Sequence, residues 1–139
     1  MQKTNVASVE KLKGEMRPKR VADLDLDPRN PRLPEELIDA PQESLLEYLF
    51  ENAVLEELAQ SLADNGYFSH EPLIITPSST KGRFIVLEGN RRLAALMILL
   101  GRREAQGLDL GVTLTRATRA TLEYVPCYLV KTRDEVYTR

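Results

Sequence analysis

The spacing of hydrophobic positions along the chain predicts alternating strands and helices. Four segments show the alternation or the short apolar run that is typical of strands: Val21–Leu26, Leu73–Thr76, Arg83–Leu87 and Val125–Val130. Three others show the spacing of amphipathic helices, and a fourth helix would be short: Leu45–Ala53, Leu55–Leu62, Arg91–Leu100 and Thr115–Leu122. The order β-α-α-β-β-α-(α)-β predicts an α/β domain in which a mixed sheet packs with helices.

Breaks in this pattern divide the chain into three parts. Residues 1–20 are polar with little periodicity, and we predict that they form a flexible N-terminal arm. Residues 21–130 contain all the predicted elements and form the domain. Residues 131–139 have the pattern of the start of a C-terminal helix, which we expect to be truncated. Pro126 predicts a sheet edge or the start of a strand, because proline cannot donate to a ladder.

Composition and charge exclude several kinds of function. The chain has 139 residues, 42% of them hydrophobic, which is enough for one domain with a core. A net charge of −2 argues against a protein that coats polyanions. One cysteine and one histidine do not suffice for a disulfide framework or a zinc site, so we predict no metal cluster built by the protein. The longest apolar run, Leu93–Leu100, is too short to span a bilayer, so we predict a cytoplasmic protein with no membrane partner.

The most informative stretch runs from a buried strand through a glycine into a helix that begins with arginines. Arg91 and Arg92 in a first turn oppose the helix dipole, which is favourable only if they and the unpaired N–H groups converge on an anion. Gly89 would let a phosphate approach the backbone, and Asn90 would cap the helix and offer its amide to the ligand. The alternative is an exposed arginine pair on a helix that its apolar face holds in place.

Several segments of this sequence resemble, in the right order, the conserved boxes of the ParB N-terminal domain and sulfiredoxin superfamily. Leu87–Leu96 resembles its glycine–x–x–arginine box, and Asp27–Arg32 resembles its first, Asn-Pro-Arg-like box. Glu57–Gly66 is similar to the helix "E-L-A-x-S-I-x-x-x-G", and Glu71–Ile75 to the strand "Q-P-I-x-V" that follows it. Val125–Val130 resembles the closing strand.

The resemblance implies a ParB/sulfiredoxin-like fold that binds CTP, or ATP or ADP, usually with Mg²⁺. Carried over by position, it implies that the nucleotide phosphates contact four consecutive residues, Gly89, Asn90, Arg91 and Arg92. It also implies that Gly66 and Pro72 shape the neighbouring loop, and that Asn30 and Arg32 lie beside the same cleft. The expected function is a nucleotide-dependent switch in a prokaryotic DNA-handling protein, in a partition, plasmid, phage or defence context. DNA would be bound through further domains, and the protein could form a homodimer.

The sequence departs from the family at positions that matter for chemistry. Sulfiredoxin has a cysteine in its glycine box where this chain has Asn90, so sulfinic-acid reduction is not expected. ParB proper continues into a second nucleotide-contacting helix and a helix-turn-helix, and we expect neither of them within these 139 residues. Glu71 replaces the usual glutamine before Pro72, so the identity of the base is not carried over.

Two other classes of function stay open. An enzyme of this fold, such as a small-molecule kinase, a slow NTPase or phosphotransferase, or a ParB-like nuclease, needs a carboxylate base. Glu88 is the candidate, with Glu57 as a weaker one, and Glu88 would also hold Mg²⁺ or simply pair with Arg91 or Arg92. A DNA-binding or protein-interaction domain that uses no nucleotide is the second alternative, and its affinity for duplex would fall steeply with salt.

Other polar residues have simple structural interpretations. We expect Cys127 to be a small core residue and His70 to lie in a surface loop. An exposed, charged sheet edge explains the alternating Asp23, Asp25 and Asp27 better than a metal cluster does. A solvated helix face, rather than a nucleic-acid surface, is expected for a group of four arginines: Arg102, Arg103, Arg116 and Arg119.

Overall fold

The computed structural model describes residues 14–67 and 70–134, which form one mixed sheet with helices. Its strands are β1 (Glu15–Arg20), β2 (Leu24–Leu26), β3 (Leu73–Pro77), β4 (Phe84–Glu88) and β5 (Tyr124–Leu129). Its helices are α1 (Gln42–Asn52), α2 (Glu56–Asn65), α3 (Asn90–Leu99) and α4 (Arg116–Leu122). The predicted α/β class is therefore confirmed, as is the division of the first helical region near Asn52.

The strands lie in the order β1-β5-β3-β4-β2. The β1/β5 and β3/β4 pairs are antiparallel, whereas β3/β5 and β2/β4 are parallel. Strands β3 and β4 are consecutive and antiparallel, so they form a hairpin. The carboxyl ends of the parallel strands β2 and β4 therefore lie at the same end of the sheet, and each continues directly into a segment that the sequence marks as a site.

Helix α3 lies at the centre of the hydrophobic core. Its residues from Leu93 to Leu99 are all buried, and the helix contacts α1, α2 and β2. Because these residues are apolar on every side, they can be surrounded by other elements without leaving polar groups buried. This packing fixes the start of α3 relative to the ends of β2 and β4.

The predicted flexible arm is wrong for its last residues, since Glu15–Arg20 is strand β1 and pairs with β5 along its length. Five of its six residues are exposed, so the strand has no apolar face that could produce alternation in the sequence. Pro18 also weakens the strand signal. Residues 1–13 of the predicted arm lie outside the described residues.

Two predictions about strand ends are also corrected. Val21–Asp23 forms a turn of 3₁₀ helix, so strand β2 is limited to Leu24–Leu26. Strand β5 is internal, because β1 covers the edge that Pro126 was expected to occupy. Pro126 is tolerated because it lies opposite Pro18 and because pairing with β3 begins only at Cys127.

The predicted C-terminal helix lies largely beyond the described residues, which end at Asp134. Within 131–134 only Asp134 has helical backbone. The same segment contributes Arg133, whose side chain reaches back to the end of β2. In the described ranges, 14–67 and 70–134, no helix is long and apolar enough to cross a membrane.

Candidate functional site

The tight bend between β4 and α3 has the geometry that the sequence predicts. Gly89 has a φ of +105° and immediately precedes α3, whose first residue is Asn90. Leu93 N–H donates to the Gly89 carbonyl at 2.9 Å, which is the first hydrogen bond of the helix. Among the described residues, no side chain caps this helix start. The N–H groups of its first turn therefore have no intrahelical acceptor and carry the positive end of the helix dipole.

Glycine is required at position 89 for two reasons. Its φ lies in the left-handed region, which side chains rarely adopt. A Cβ would also lie 2.3 Å from Leu73 Cδ2 and 3.0 Å from Arg92 Nη2. The space that a side chain would need is therefore filled by neighbouring side chains of the same chain.

A cleft of about 720 Å³ opens in front of this bend. It brings together residues from the first box, helices α1 and α2, the segment before β3, and the β4–α3 bend. The predicted site residues that line it are Asn30, Arg32, Glu88, Gly89, Asn90, Arg91 and Arg92. Gly66 and Pro72 do not line it, and Glu57 is an exposed residue of α2 that also lies outside it.

The two arginines of the first turn are bound to opposite walls of the cleft. Arg91 donates from Nε to the Ala53 carbonyl at 3.0 Å and from Nη2 to the Val54 carbonyl at 3.2 Å, just after α1. Arg92 donates to the Tyr67 hydroxyl at 2.6 Å and to the Glu71 carbonyl. Each guanidinium group keeps further N–H donors, because arginine has five.

Tyr67 forms the contact between α3 and the segment that precedes β3. Its hydroxyl donates to the Glu71 carbonyl at 2.7 Å, and Arg92 lies 5.8 Å from the centre of its ring. Burial raises the pKa of Tyr67 to about 12, although the Arg92 charge acts in the opposite direction. The phenol therefore stays neutral in the physiological range. Gly66, with a φ of +76°, ends α2 just before Tyr67.

Asn90 has a different role from the one predicted. Gly89, not Asn90, occupies the capping position of α3. The Asn90 side chain is buried, accepts from Asp27 N–H at 3.0 Å and donates to the Val86 carbonyl at 2.9 Å. It therefore joins the end of β2 to β4, and its contact with a ligand stays a prediction.

The first box is held against the cleft by a buried ion pair that sequence reasoning missed. The Asp27 carboxylate, whose side chain is fully buried, accepts two hydrogen bonds from Arg133 at 2.7 and 2.9 Å. It also accepts from Arg29 N–H at 2.9 Å. The predicted exposed row of aspartates is therefore wrong, since Asp25 also binds Arg83, at 2.7 Å. In the sequence, the one feature that could have indicated this role is that Asp27 follows a predicted strand and precedes Pro28.

Asn30 and Arg32 lie on the loop that follows Asp27, beside the cleft as predicted. Asn30 Oδ1 accepts from Arg32 N–H at 3.0 Å, which makes a local Asx turn. The Arg32 side chain is exposed, and its guanidinium makes no hydrogen bond or ion pair within residues 14–67 and 70–134. Arg32 is therefore available to a ligand without losing a protein contact.

Glu88 lines the cleft at the end of β4 and is half-buried. Among the described residues it forms no ion pair with Arg91 or Arg92, so the predicted neutralising pair is not present. Its role as a base or as one ligand of a cation stays a prediction. No group of three or more histidine, cysteine, aspartate or glutamate side chains that could hold a metal ion occurs in the described part of the chain.

Three of the remaining polar candidates have structural roles. Burial raises the pKa of the Cys127 thiol to about 12, and this residue lies in the core as expected. Arg102, only 11% exposed, donates to the Val21 carbonyl and pairs with Glu104. Arg119 donates to the carbonyls of Leu99 and Leu100 at the end of α3. Arg102 and Arg119 thus hold backbone rather than form a solvated face.

No protein-family model matches the chain, and no curated protein matches it. Among solved structures, it is similar to the C-terminally truncated chromosome-partitioning protein ParB from Caulobacter crescentus complexed with CTP-gamma-S, with 23% sequence identity and a TM-score of 0.48. The match covers 86% of this chain and 46% of that chain, so this chain spans about half of its length.

Proposed function

We propose that the cleft binds a nucleoside di- or triphosphate, with the phosphates at the start of α3. The observation that carries this proposal is an uncapped helix start at the base of a cleft whose lining includes the arginines Arg32, Arg91 and Arg92. Unpaired N–H groups at a helix start and guanidinium groups are the two protein features that bind phosphate best. A volume of about 720 Å³ lies within the range of small-molecule and cofactor sites.

The charges at the helix start support an anionic ligand. Arg91 and Arg92 lie where a positive charge opposes the helix dipole, and no acidic residue occurs in the first turn of α3 to compensate. A phosphate group at this place would interact favourably with the dipole and with both arginines. The remaining donors of Arg91 and Arg92, together with Arg32, would supply the hydrogen bonds.

Mg²⁺ fits this site as a companion of the nucleotide rather than as a resident ion. Glu88 is the carboxylate at the end of β4, and in the described ranges it has no arginine partner that would compete with a cation. Mg²⁺ commonly uses one or two carboxylates together with phosphate oxygens and waters. When bound, it would neutralise phosphate charge, and Glu88 would be the residue of this chain that holds it.

Calorimetric titration with CTP, ATP, GTP and ADP, with and without Mg²⁺, tests the proposal directly. We expect one or more of these ligands to bind, and Arg32→Ala to weaken binding by about tenfold, as loss of a charge-assisted hydrogen bond implies. Arg116→Ala is the matched control, because Arg116 is an exposed arginine on α4, away from the cleft. Equal binding by both variants, or no binding by the wild-type chain, would refute the proposal.

A slow NTPase or phosphotransferase activity is the second candidate function, and the position of Glu88 favours it. If Glu88 is the base, Glu88→Gln abolishes turnover of the bound nucleotide and leaves its affinity, measured without Mg²⁺, nearly unchanged. If the module is a switch in a DNA-handling protein, the wild-type chain binds nucleotide without turnover, and binding shifts its self-association in analytical ultracentrifugation. Salt-sensitive duplex binding that ignores nucleotide would instead favour a DNA-binding domain.

A further inference from the structure

We infer that the apolar residues of the cleft hold the base of the nucleotide, and that the base stacks on the ring of Tyr48. This inference rests on the proposed function and adds to it the site of the organic part of the ligand. It concerns helix α1, which none of the sequence boxes includes.

The cleft is lined by residues of two chemical kinds. Its charged residues include Arg32, Glu88, Arg91 and Arg92. Its apolar residues come from the loop that contains the first box, from α1, from the turn that follows α1, and from α2: Pro31, Leu33, Tyr48, Leu49, Ala53 and Leu58. A ligand with an anionic part and an apolar or aromatic part, such as a nucleotide, matches both kinds.

The packing of α1 places Tyr48 at the cleft in a fixed position. Leu45 and Leu46 are fully buried in the core, so one face of the helix is anchored. Tyr48 and Leu49 line the cleft together with Ala53, the residue that directly follows α1. Tyr48 is half-buried, so part of its side chain remains accessible inside a concave site.

An aromatic ring in this position suits a base better than it suits an alkyl chain. Base–aromatic stacking contributes substantially to affinity and is tolerant of base identity, because every base has a flat face. The apolar residues that accompany Tyr48 have no side-chain hydrogen-bond donors or acceptors. We therefore expect CTP, ATP and GTP to depend on Tyr48 to a similar degree.

The test compares nucleotides with inorganic tripolyphosphate, which has the same charged part and no base. Titrations with Mg²⁺ are made on the 139-residue chain and on Tyr48→Ala, Tyr48→Leu and Tyr48→Phe. We expect Tyr48→Ala and Tyr48→Leu to lower nucleotide affinity by about 5- to 150-fold and to leave tripolyphosphate affinity unchanged. Tyr48→Phe keeps the ring and should stay within about twofold of wild type.

Two controls separate stacking from folding. Unchanged tripolyphosphate binding shows that a variant is folded at the site, and Tyr48→Leu keeps an apolar side chain of substantial size if the alanine variant is unstable. Tyr124→Ala is the matched tyrosine control, because Tyr124 is 57% exposed on β5 and lies outside the cleft. This variant should bind both ligands like wild type.

The outcomes distinguish the inference from the proposed function. If wild type binds nucleotide and tripolyphosphate equally well, or if Tyr48→Leu weakens both by the same factor, the assignment of Tyr48 is wrong while phosphate binding stands. If the nucleotide affinity of Tyr48→Leu equals that of wild type, the assignment is also wrong. If wild type binds neither ligand, the proposed function and this inference both fail.

Discussion

Replacing Arg133 by methionine should destabilise the domain strongly, because it leaves a buried carboxylate without its cation. The Asp27 side chain is 0% exposed, and Arg133, at 29% exposed, donates to both of its oxygens. Methionine keeps much of the aliphatic length of arginine, so the change removes charge and hydrogen bonds more than packing. Asp27 then keeps the hydrogen bond from Arg29 N–H, which does not neutralise it.

The expected magnitude follows from the burial of the pair. Removal of one partner of a buried ion pair costs about 3–5 kcal/mol, and the partial exposure of Arg133 favours the lower end, about 3 kcal/mol. With an m-value of about 1.5 kcal/mol/M, the urea midpoint should fall by about 2 M. The assay is urea unfolding followed by far-ultraviolet circular dichroism, with the slope checked for a constant m-value.

Two further variants show whether the buried charge is the cause. Arg29→Met removes an exposed arginine that lies 3.5 Å from Asp39, and it should change the free energy of unfolding by about 0.5 kcal/mol or less. Asp27→Asn combined with Arg133→Met leaves no unpaired charge, so the double variant should be more stable than Arg133→Met alone. A loss below about 1 kcal/mol for Arg133→Met, or a double variant less stable than the single one, would refute the reasoning.

Three other outcomes follow from the geometry of the site and core. Gly89→Ala should lower the free energy of unfolding in urea by about 2–4 kcal/mol. The alanine Cβ would lie 2.3 Å from Leu73 Cδ2, and the φ of +105° is unfavourable for a residue with a side chain. A loss under about 1 kcal/mol would contradict this. Asn90→Ala should cost about 2–4 kcal/mol in the same assay, because it removes two buried hydrogen bonds to backbone; unchanged stability would count against the structural role assigned here. At pH 8 the native Cys127 thiol should react with iodoacetamide far more slowly than in the urea-unfolded chain, because burial raises its pKa to about 12 and also limits access of the reagent; mass spectrometry follows both rates, and equal rates would contradict the burial of this thiol.

The elements with a strong local pattern could be predicted from the sequence. The apolar run after Arg92 predicts a buried helix, and the strand and glycine before it predict the bend, which the structure confirms. The positions of Asn30, Arg32 and Glu88 beside the same cleft could be predicted from the order of the boxes. These features depend on residues that are close in sequence or that follow a regular spacing.

Features that depend on distant partners could not be predicted. The ion pair of Asp27 and Arg133 joins residues that are 106 positions apart in the sequence. The sequence around either residue does not indicate that the other is its partner. Strand β1 is defined by its ladder with β5, not by an apolar face of its own. Asparagine often caps a helix through a local hydrogen bond, which is why the sequence predicts a cap at Asn90. In the structure its side chain is buried and binds the backbone of Asp27 and Val86 instead.

Both lateral borders of the sheet carry features that hinder pairing with a further strand. Strand β1 forms one border, and its Pro18 lies opposite Pro126. Because proline has no N–H, Pro18 leaves a gap among the donors that β1 could offer to a neighbouring strand. At the other border the Gln42 amide binds Leu26 N–H at 2.8 Å and the Leu26 carbonyl at 2.9 Å, where a neighbouring strand would have to pair. Pairing of two copies of this domain through their sheet edges is therefore disfavoured, which lowers the tendency to aggregate by this route.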